Sequence, residues 1–148
     1  MSRPRRQGRG RLQPRAVLTI PAESRDAMVA HCLMDAPLEC CGILGGVFPE
    51  VSLFYPLANT EASETRYNAD PMDLIRVDRD LRSREAEILA IYHSHPRWAA
   101  VPSKTDLATN YLGPVPRIIV SLLDHPPTVR AWRLAPDSYE ELPWRLAP

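Results

Sequence analysis

A short apolar run that flows into two alternate histidines constrains this chain more than any other stretch. Glu87-Ile88-Leu89-Ala90-Ile91-Tyr92 is rich in β-formers and reads as a buried strand. It leads directly into His93-Ser94-His95-Pro96. Side chains two apart on a strand share a face, so His93 and His95 point together and Ser94 points away. Two adjacent imidazoles repel when protonated and clamp a metal when neutral. Further on, Pro102-Ser103 reads as a helix entrance, with Ser103 as N-cap and Asp106 in the first turn. A strand-end histidine pair and a helix-start aspartate can converge on a zinc ion. Three such donors leave the fourth tetrahedral position to water, the mark of a catalytic site. Ser103-x-x-Asp106 equally fits a capping box, which needs no metal, and both readings stand at this point.

The rest of the chain supplies a domain around that stretch. With 148 residues it is one domain, long enough to bury a core without staples. Residues 1–15 hold six arginines and no acid, with glycine, glutamine and proline between them. Such a segment buries too little apolar surface to offset ordering entropy, so a disordered tail is expected, ahead of a domain over 16–148. No apolar stretch follows the arginines, so they do not read as a secretory signal. No run approaches a membrane span. The remaining twelve basic residues stand against eighteen acids, leaving the body near −6. An acidic body argues against nucleic-acid binding by the domain itself. Three cysteines, two of them adjacent, make no disulfide framework, which points to the cytoplasm.

In chain order, Ala16-Val17-Leu18-Thr19-Ile20 predicts a strand, and Pro21 opens a helix whose core stripe is Met28, Val29, Cys32, Leu33 and Ala36. His31 beside that stripe reads as a surface or packing residue. Leu38 to Val47 begins with Glu39 and continues as a glycine-broken strand, with Glu50 to Leu57 as its hairpin partner. A polar loop runs from Asn59 to Asn68. Asp70-Pro71-Met72-Asp73 is a strong helix start, with Leu74, Val77 and Leu81 facing inward. Ser103 to Leu112 predicts a short helix ended by Gly113-Pro114. Arg117 to Leu123 predicts a central strand, Thr128 to Leu134 a hairpin strand, and Tyr139 to Leu142 an edge strand before a loose end. The expected class is α/β, a curled mixed sheet flanked by about three helices.

The motif His93-Ser94-His95, seven residues, Ser103, two more, then Asp106 resembles that of the JAMM (JAB1/MPN+) zinc metallopeptidases. Glu39, in Glu39-Cys40-Cys41-Gly42-Ile43-Leu44-Gly45, resembles the upstream glutamate of that family, so all five signature positions are filled. The resemblance runs from about Val17 to Trp144 and is closest to compact bacterial members that process β-grasp sulfur-carrier proteins. It implies the JAB1/MPN, cytidine-deaminase-like fold and one zinc ion per chain on His93, His95 and Asp106. It further implies Glu39 as the acceptor of the water's proton and Ser103 as a donor to the oxyanion. The implied substrate is a small ubiquitin-like or sulfur-carrier protein cut after its C-terminal Gly-Gly, and the chain could form a homodimer.

The same likeness places Asn59, Ser63 and Tyr67 near the mouth of the site, and Trp98 could contact substrate from the loop Pro96 to Pro102. That loop is short and carries no insertion of the type that gives eukaryotic deubiquitinases their linkage choice. This disfavours a polyubiquitin substrate. Two alternatives remain: a metal-free MPN scaffold that binds protein partners, and a thiol peptidase built on Cys40 or Cys41. The first sits poorly with a complete ligand set. The second lacks an evident residue to orient a histidine. The Cys-x-x-Cys and His-x-Glu pattern of zinc deaminases is absent.

Overall fold

The computed structural model describes residues 16–109 and 113–148. The arginine-rich tail and the expected end of the third helix, residues 110–112, lie outside the described residues. The elements are β1 (Leu18–Ile20), α1 (Ala22–Asp35), β2 (Cys41–Val47), β3 (Glu50–Leu57), α2 (Pro71–Ser83), β4 (Glu87–His95), α3 (Lys104–Ala108), β5 (Arg117–Ser121), β6 (Thr128–Ala135), β7 (Ser138–Leu142) and β8 (Trp144–Leu146).

The eight strands of the described residues join one sheet in the order β7-β6-β5-β4-β2-β3-β1-β8. It is mixed: β4 pairs with β5 in parallel, β1 lies parallel to both β3 and β8, and the remaining ladders are antiparallel. The sheet curls on itself. Trp144 at one edge reaches the opposite flank, where its indole N–H donates to the Val129 carbonyl at 3.2 Å.

Alternation along β2 and β4 divides the interior into two faces. Cys40, Leu44, Ala90 and Tyr92 pack with Met28 and Cys32 of α1 on the back face. Cys41, Ile43 and Ile91 pack with Val77 and Leu81 of α2 on the front. His93 and His95 share the front face with Ile91. A third cluster of Ala100, Ile119, Trp132 and Leu134 supports the segment between β4 and α3, with Leu107 of α3 against it. β5 is buried along its whole length, as its unbroken apolar run requires.

α2 begins as expected: the Asp70 carboxylate accepts from Met72 N–H at 2.8 Å, and Pro71 takes the first helical position. Its charged side is solvated, with the ion pairs Arg82–Asp78 and Arg84–Asp80 each at 3.0 Å.

Three expectations are corrected. α1 buries only Met28 and Cys32, one helical turn apart, with Val29 half-buried. Leu33, a further 100° round the helix, is 53% exposed, and Ala36 already lies beyond the helix end. The end of the chain is not loose, because Trp144–Leu146 forms β8 against β1. The described part of the third helix is a five-residue turn, Lys104–Ala108.

Candidate active site

β4 delivers both imidazoles to one point. His93 is fully buried and His95 nearly so, and their Nε2 atoms stand 3.2 Å apart. Asp106 comes from α3 and is 7% exposed. Its Oδ1 lies 3.1 Å from His93 Nε2 and its Oδ2 3.1 Å from His95 Nε2.

The protonation of His95 follows from its other contact. Nδ1 lies 2.8 Å from the Ala99 carbonyl, which can only accept, so Nδ1 carries the proton in the neutral ring. Its Nε2 lone pair therefore faces the second imidazole and the carboxylate. Two imidazole nitrogens and a carboxylate oxygen converging in a buried place repel one another unless a cation lies between them. The residues present fit a zinc-class ion, and the outward hydrogen bond to Ala99 is the usual support for such a histidine.

Without an ion, the electrostatics of the two imidazoles diverge. Burial pulls the His93 pKa below its ordinary value and dominates the attraction of Asp106. Burial also opposes the charged form of His95, but hydrogen bonds to Asp106 and Ala99 outweigh it and raise its pKa. Burial would raise Asp106, yet the imidazoles and the Ser103 N–H hold its carboxyl well below the usual range.

Ser103 is a cap, as its sequence context suggests. Its Oγ accepts from Asp106 N–H at 3.0 Å, and Asp106 Oδ2 accepts from Ser103 N–H at 2.9 Å, a complete capping box. The cap uses a lone pair of the hydroxyl and leaves its proton to be donated elsewhere. Capping and a role at the reaction centre are therefore compatible. One carboxylate oxygen, Asp106 Oδ2, serves both the cap and the cation site.

Glu39 stands just before β2 and is 3% exposed. Its backbone N–H donates to the Ser63 carbonyl at 2.8 Å and its own carbonyl accepts from the Asn59 side-chain amide at 3.0 Å. Among the described residues its Oε1 has no hydrogen-bond partner. Burial, reinforced by Asp106 and only partly offset by His95, pushes its carboxyl up to about 8. Glu39, His95 and Ser103 line a single cavity of about 310 Å³ together with Thr65, Trp98, Val101 and Thr105.

The loop residues divide. Asn59 and Ser63 hold the Glu39 backbone. Asn59 Oδ1 also accepts from the Glu61 and Asn68 amides, so this side chain organises the loop. Tyr67 stacks on His93 with ring centroids 4.6 Å apart. Trp98 is 60% exposed at the mouth of the cavity. Its backbone is fixed, since its carbonyl accepts from the Ser121 hydroxyl and the neighbouring Ala100 carbonyl accepts from Trp132 Nε1 at 2.9 Å.

Sequence reasoning missed the Ala99 carbonyl, because a backbone acceptor has no residue-type signature. It also missed Arg117, a buried arginine beside Tyr67 whose guanidinium donates to the Val115 carbonyl at 2.6 Å. A lone arginine at the head of an apolar strand was the available signal. The thiols are accounted for as well. Cys41 is fully buried, and burial pushes its thiol up to about 12. Cys40 does have a histidine and an aspartate near it, His31 and Asp35, contrary to the expectation from sequence. It too is fully buried on the back face, which denies it a substrate.

A curled mixed sheet with three helices and a strand-borne histidine pair met by a helix-start aspartate defines the class as a JAB1/MPN-type α/β domain. The chain belongs to the family described as prokaryotic homologs of the JAB domain, whose model matches residues 21–135. It is 35% identical over 132 residues to the CysO-cysteine peptidase of Mycobacterium tuberculosis, covering 86% of this chain and 89% of that one. It is 39% identical over 92 residues to a probable TtuB-protein conjugate cleaving protease of Thermus thermophilus, 62% of each chain. A JAB1/MPN domain protein from Archaeoglobus fulgidus superposes with a TM-score of 0.60 over 88% of this chain and 98% of its own, at 16% identity.

Proposed function

We propose that this chain is a zinc-dependent peptidase that hydrolyses the amide bond after the C-terminal Gly-Gly of a small β-grasp ubiquitin-like or sulfur-carrier protein. The observation that carries the reading is the convergence of His93 Nε2, His95 Nε2 and the Asp106 carboxylate, with Glu39 and Ser103 lining the adjoining cavity. The activities named for the mycobacterial and Thermus relatives support it.

Amide hydrolysis needs an activated water, a stabilised oxyanion and a protonated leaving amine. His93, His95 and Asp106 would hold zinc, which would supply Lewis acidity to a water near neutral pH. Glu39 Oε1, buried and unpartnered among the described residues, accepts the proton of the attacking water and hands it to the departing amine. The Ser103 hydroxyl keeps its cap through its lone pair and donates its proton to the developing oxyanion. Trp98 and the Asn59–Tyr67 loop flank the approach to the cavity. Asn59 and Ser63 contribute by holding Glu39 in place, and Tyr67 by packing the His93 ring.

A Gly-Gly tail has no side chains and can approach such a buried centre as an added strand. The short loop Pro96 to Pro102 favours a small carrier over a ubiquitin chain. A cytoplasmic setting accords with three free thiols, and no helix of the described residues is long and apolar enough to cross a membrane.

The test is incubation with a small β-grasp protein bearing residues beyond Gly-Gly, followed by mass spectrometry. Cleavage after the second glycine, abolished by a chelator and restored by zinc, is expected. Binding without cleavage by zinc-loaded protein would favour a non-catalytic scaffold instead.

A further inference from the structure

Directly behind the active site, on the face of the sheet covered by α1, a second group of metal-ligating side chains meets. His31 and Asp35 lie one turn apart on α1, with His31 Nε2 3.4 Å from Asp35 Oδ2. Cys40, the residue after Glu39, joins them from just before β2. One ligand atom from each of the three falls within 4.8 Å of the others. We propose that His31, Asp35 and Cys40 form a second cation site, of the zinc class, between α1 and the sheet.

Each buried donor is held from behind, as metal ligands are. His31 Nδ1 lies 2.6 Å from the Tyr92 hydroxyl, which leaves Nε2 on the Asp35 side free to bind. Tyr92 is itself fully buried, stacked on Phe54, and lies across Gly42, where any side chain would collide with its ring. Cys40 Sγ lies in hydrogen-bond contact with Cys32 Sγ at 3.3 Å, and Cys40 N–H donates to Ser94 Oγ at 2.9 Å. The contact with Cys32 acts first and His31 adds to it, so the Cys40 thiol is lowered from its ordinary value despite burial.

The donor set decides the class of ion. A thiolate and an imidazole select zinc-like metals over magnesium or calcium, which take oxygen. A tetrahedral shell with bonds of about 2.0–2.3 Å needs donors about 3.3–3.8 Å apart. The His31–Asp35 spacing already meets this. Small rotations of those two side chains, which are 14% and 38% exposed, bring them onto the fixed sulfur. Three protein donors leave a fourth position to another ligand, and Asp35 is the most exposed of the three. An ion there would tie α1 to the backbone that carries Glu39, so it would stiffen the base from behind without touching substrate.

Cobalt(II) distinguishes this site from the first, because only this one offers a thiolate. The full-length protein carrying His95→Ala, reduced and metal-free, is titrated with cobalt. Uptake with intense near-ultraviolet sulfur-to-cobalt charge transfer is expected. Adding Cys40→Ser should abolish the band, and adding His31→Ala should weaken cobalt binding by more than about tenfold. Cobalt uptake without that band, or no uptake, would overturn the proposal. Should Cys40→Ser disturb folding, Asp35→Ala at the exposed end of α1 decides: unchanged cobalt affinity there also overturns it.

Discussion

The two halves of the active site are built differently. His93, His95 and Asp106 project from a central strand and a capped helix start, and each is at most 7% exposed. Asn59, Ser63, Tyr67 and Trp98 project from loops, and Trp98 is mostly in solvent. The buried half brings its donor atoms to 3.1–3.2 Å of one another, and metal binding and proton transfer both demand such held geometry. The loop half tolerates variation, which suits the choice of a protein substrate. If the proposed function holds, the chemistry rests on the buried half and substrate contact falls to exposed Trp98, and substitutions in the two should separate in kind as well as in size.

The largest effect is expected at the buried donors. His95→Ala should remove the active-site zinc and peptidase activity while the sheet persists, as read by metal analysis in a Cys40→Ser background and by circular dichroism; full activity with no active-site metal would erase the distinction. Next comes Ser103→Ala, which should cost about 2.7–4 kcal/mol of barrier as an oxyanion donor. The same change should cost about 0.5–2 kcal/mol of stability as a lost cap. A stability loss with unchanged kcat would reduce Ser103 to a cap alone.

The base gives a pH signature. Burial raises the Glu39 pKa, so its neutral form is favoured and the base form appears only as pH rises. In the zinc-loaded enzyme, kcat/KM should fall on the acid side as Glu39 takes up its proton, which a pH-rate profile reads. The linkage has the same origin. Between its unfolded value and about 8 the native metal-free protein keeps a proton on Glu39 that the unfolded chain has lost. Raising pH across that window therefore destabilises the metal-free fold, and Glu39→Gln should remove that part of the pH dependence in denaturant titrations.

The smallest effect belongs to the loops. Trp98→Ala should raise KM several-fold with kcat little changed, since removing contact made equally in ground and transition states affects binding only. A collapse of kcat would place Trp98 with the buried half.

What was legible in the sequence follows the same division. The strand to His95, the Ser103–Asp106 helix start, the β2–β3 hairpin and the buried β5 all announce themselves through periodicity or capping chemistry. β8 does not: Trp144-Arg145-Leu146 is too short for a pattern and exists because β1 offers an open edge. The inward face of α1 was misjudged because apolar residues line more than one side of it, and only the sheet selects Met28 and Cys32 over Leu33. The contact of Ser63 with Glu39 runs through backbone atoms alone, and the Asn59 side-chain amide meets a Glu39 backbone carbonyl that has no residue-type signature. His31, Asp35 and Cys40 looked unrelated because a helix end separates them in the chain.

The central claim is that Glu39 moves the proton while His93, His95 and Asp106 hold the metal. It is tested most directly by measuring zinc content and conjugate cleavage together in Glu39→Gln. The account predicts a full complement of zinc with turnover reduced by about 10²-fold or more. Zinc-loaded Glu39→Gln protein that cleaves at the wild-type rate would contradict it.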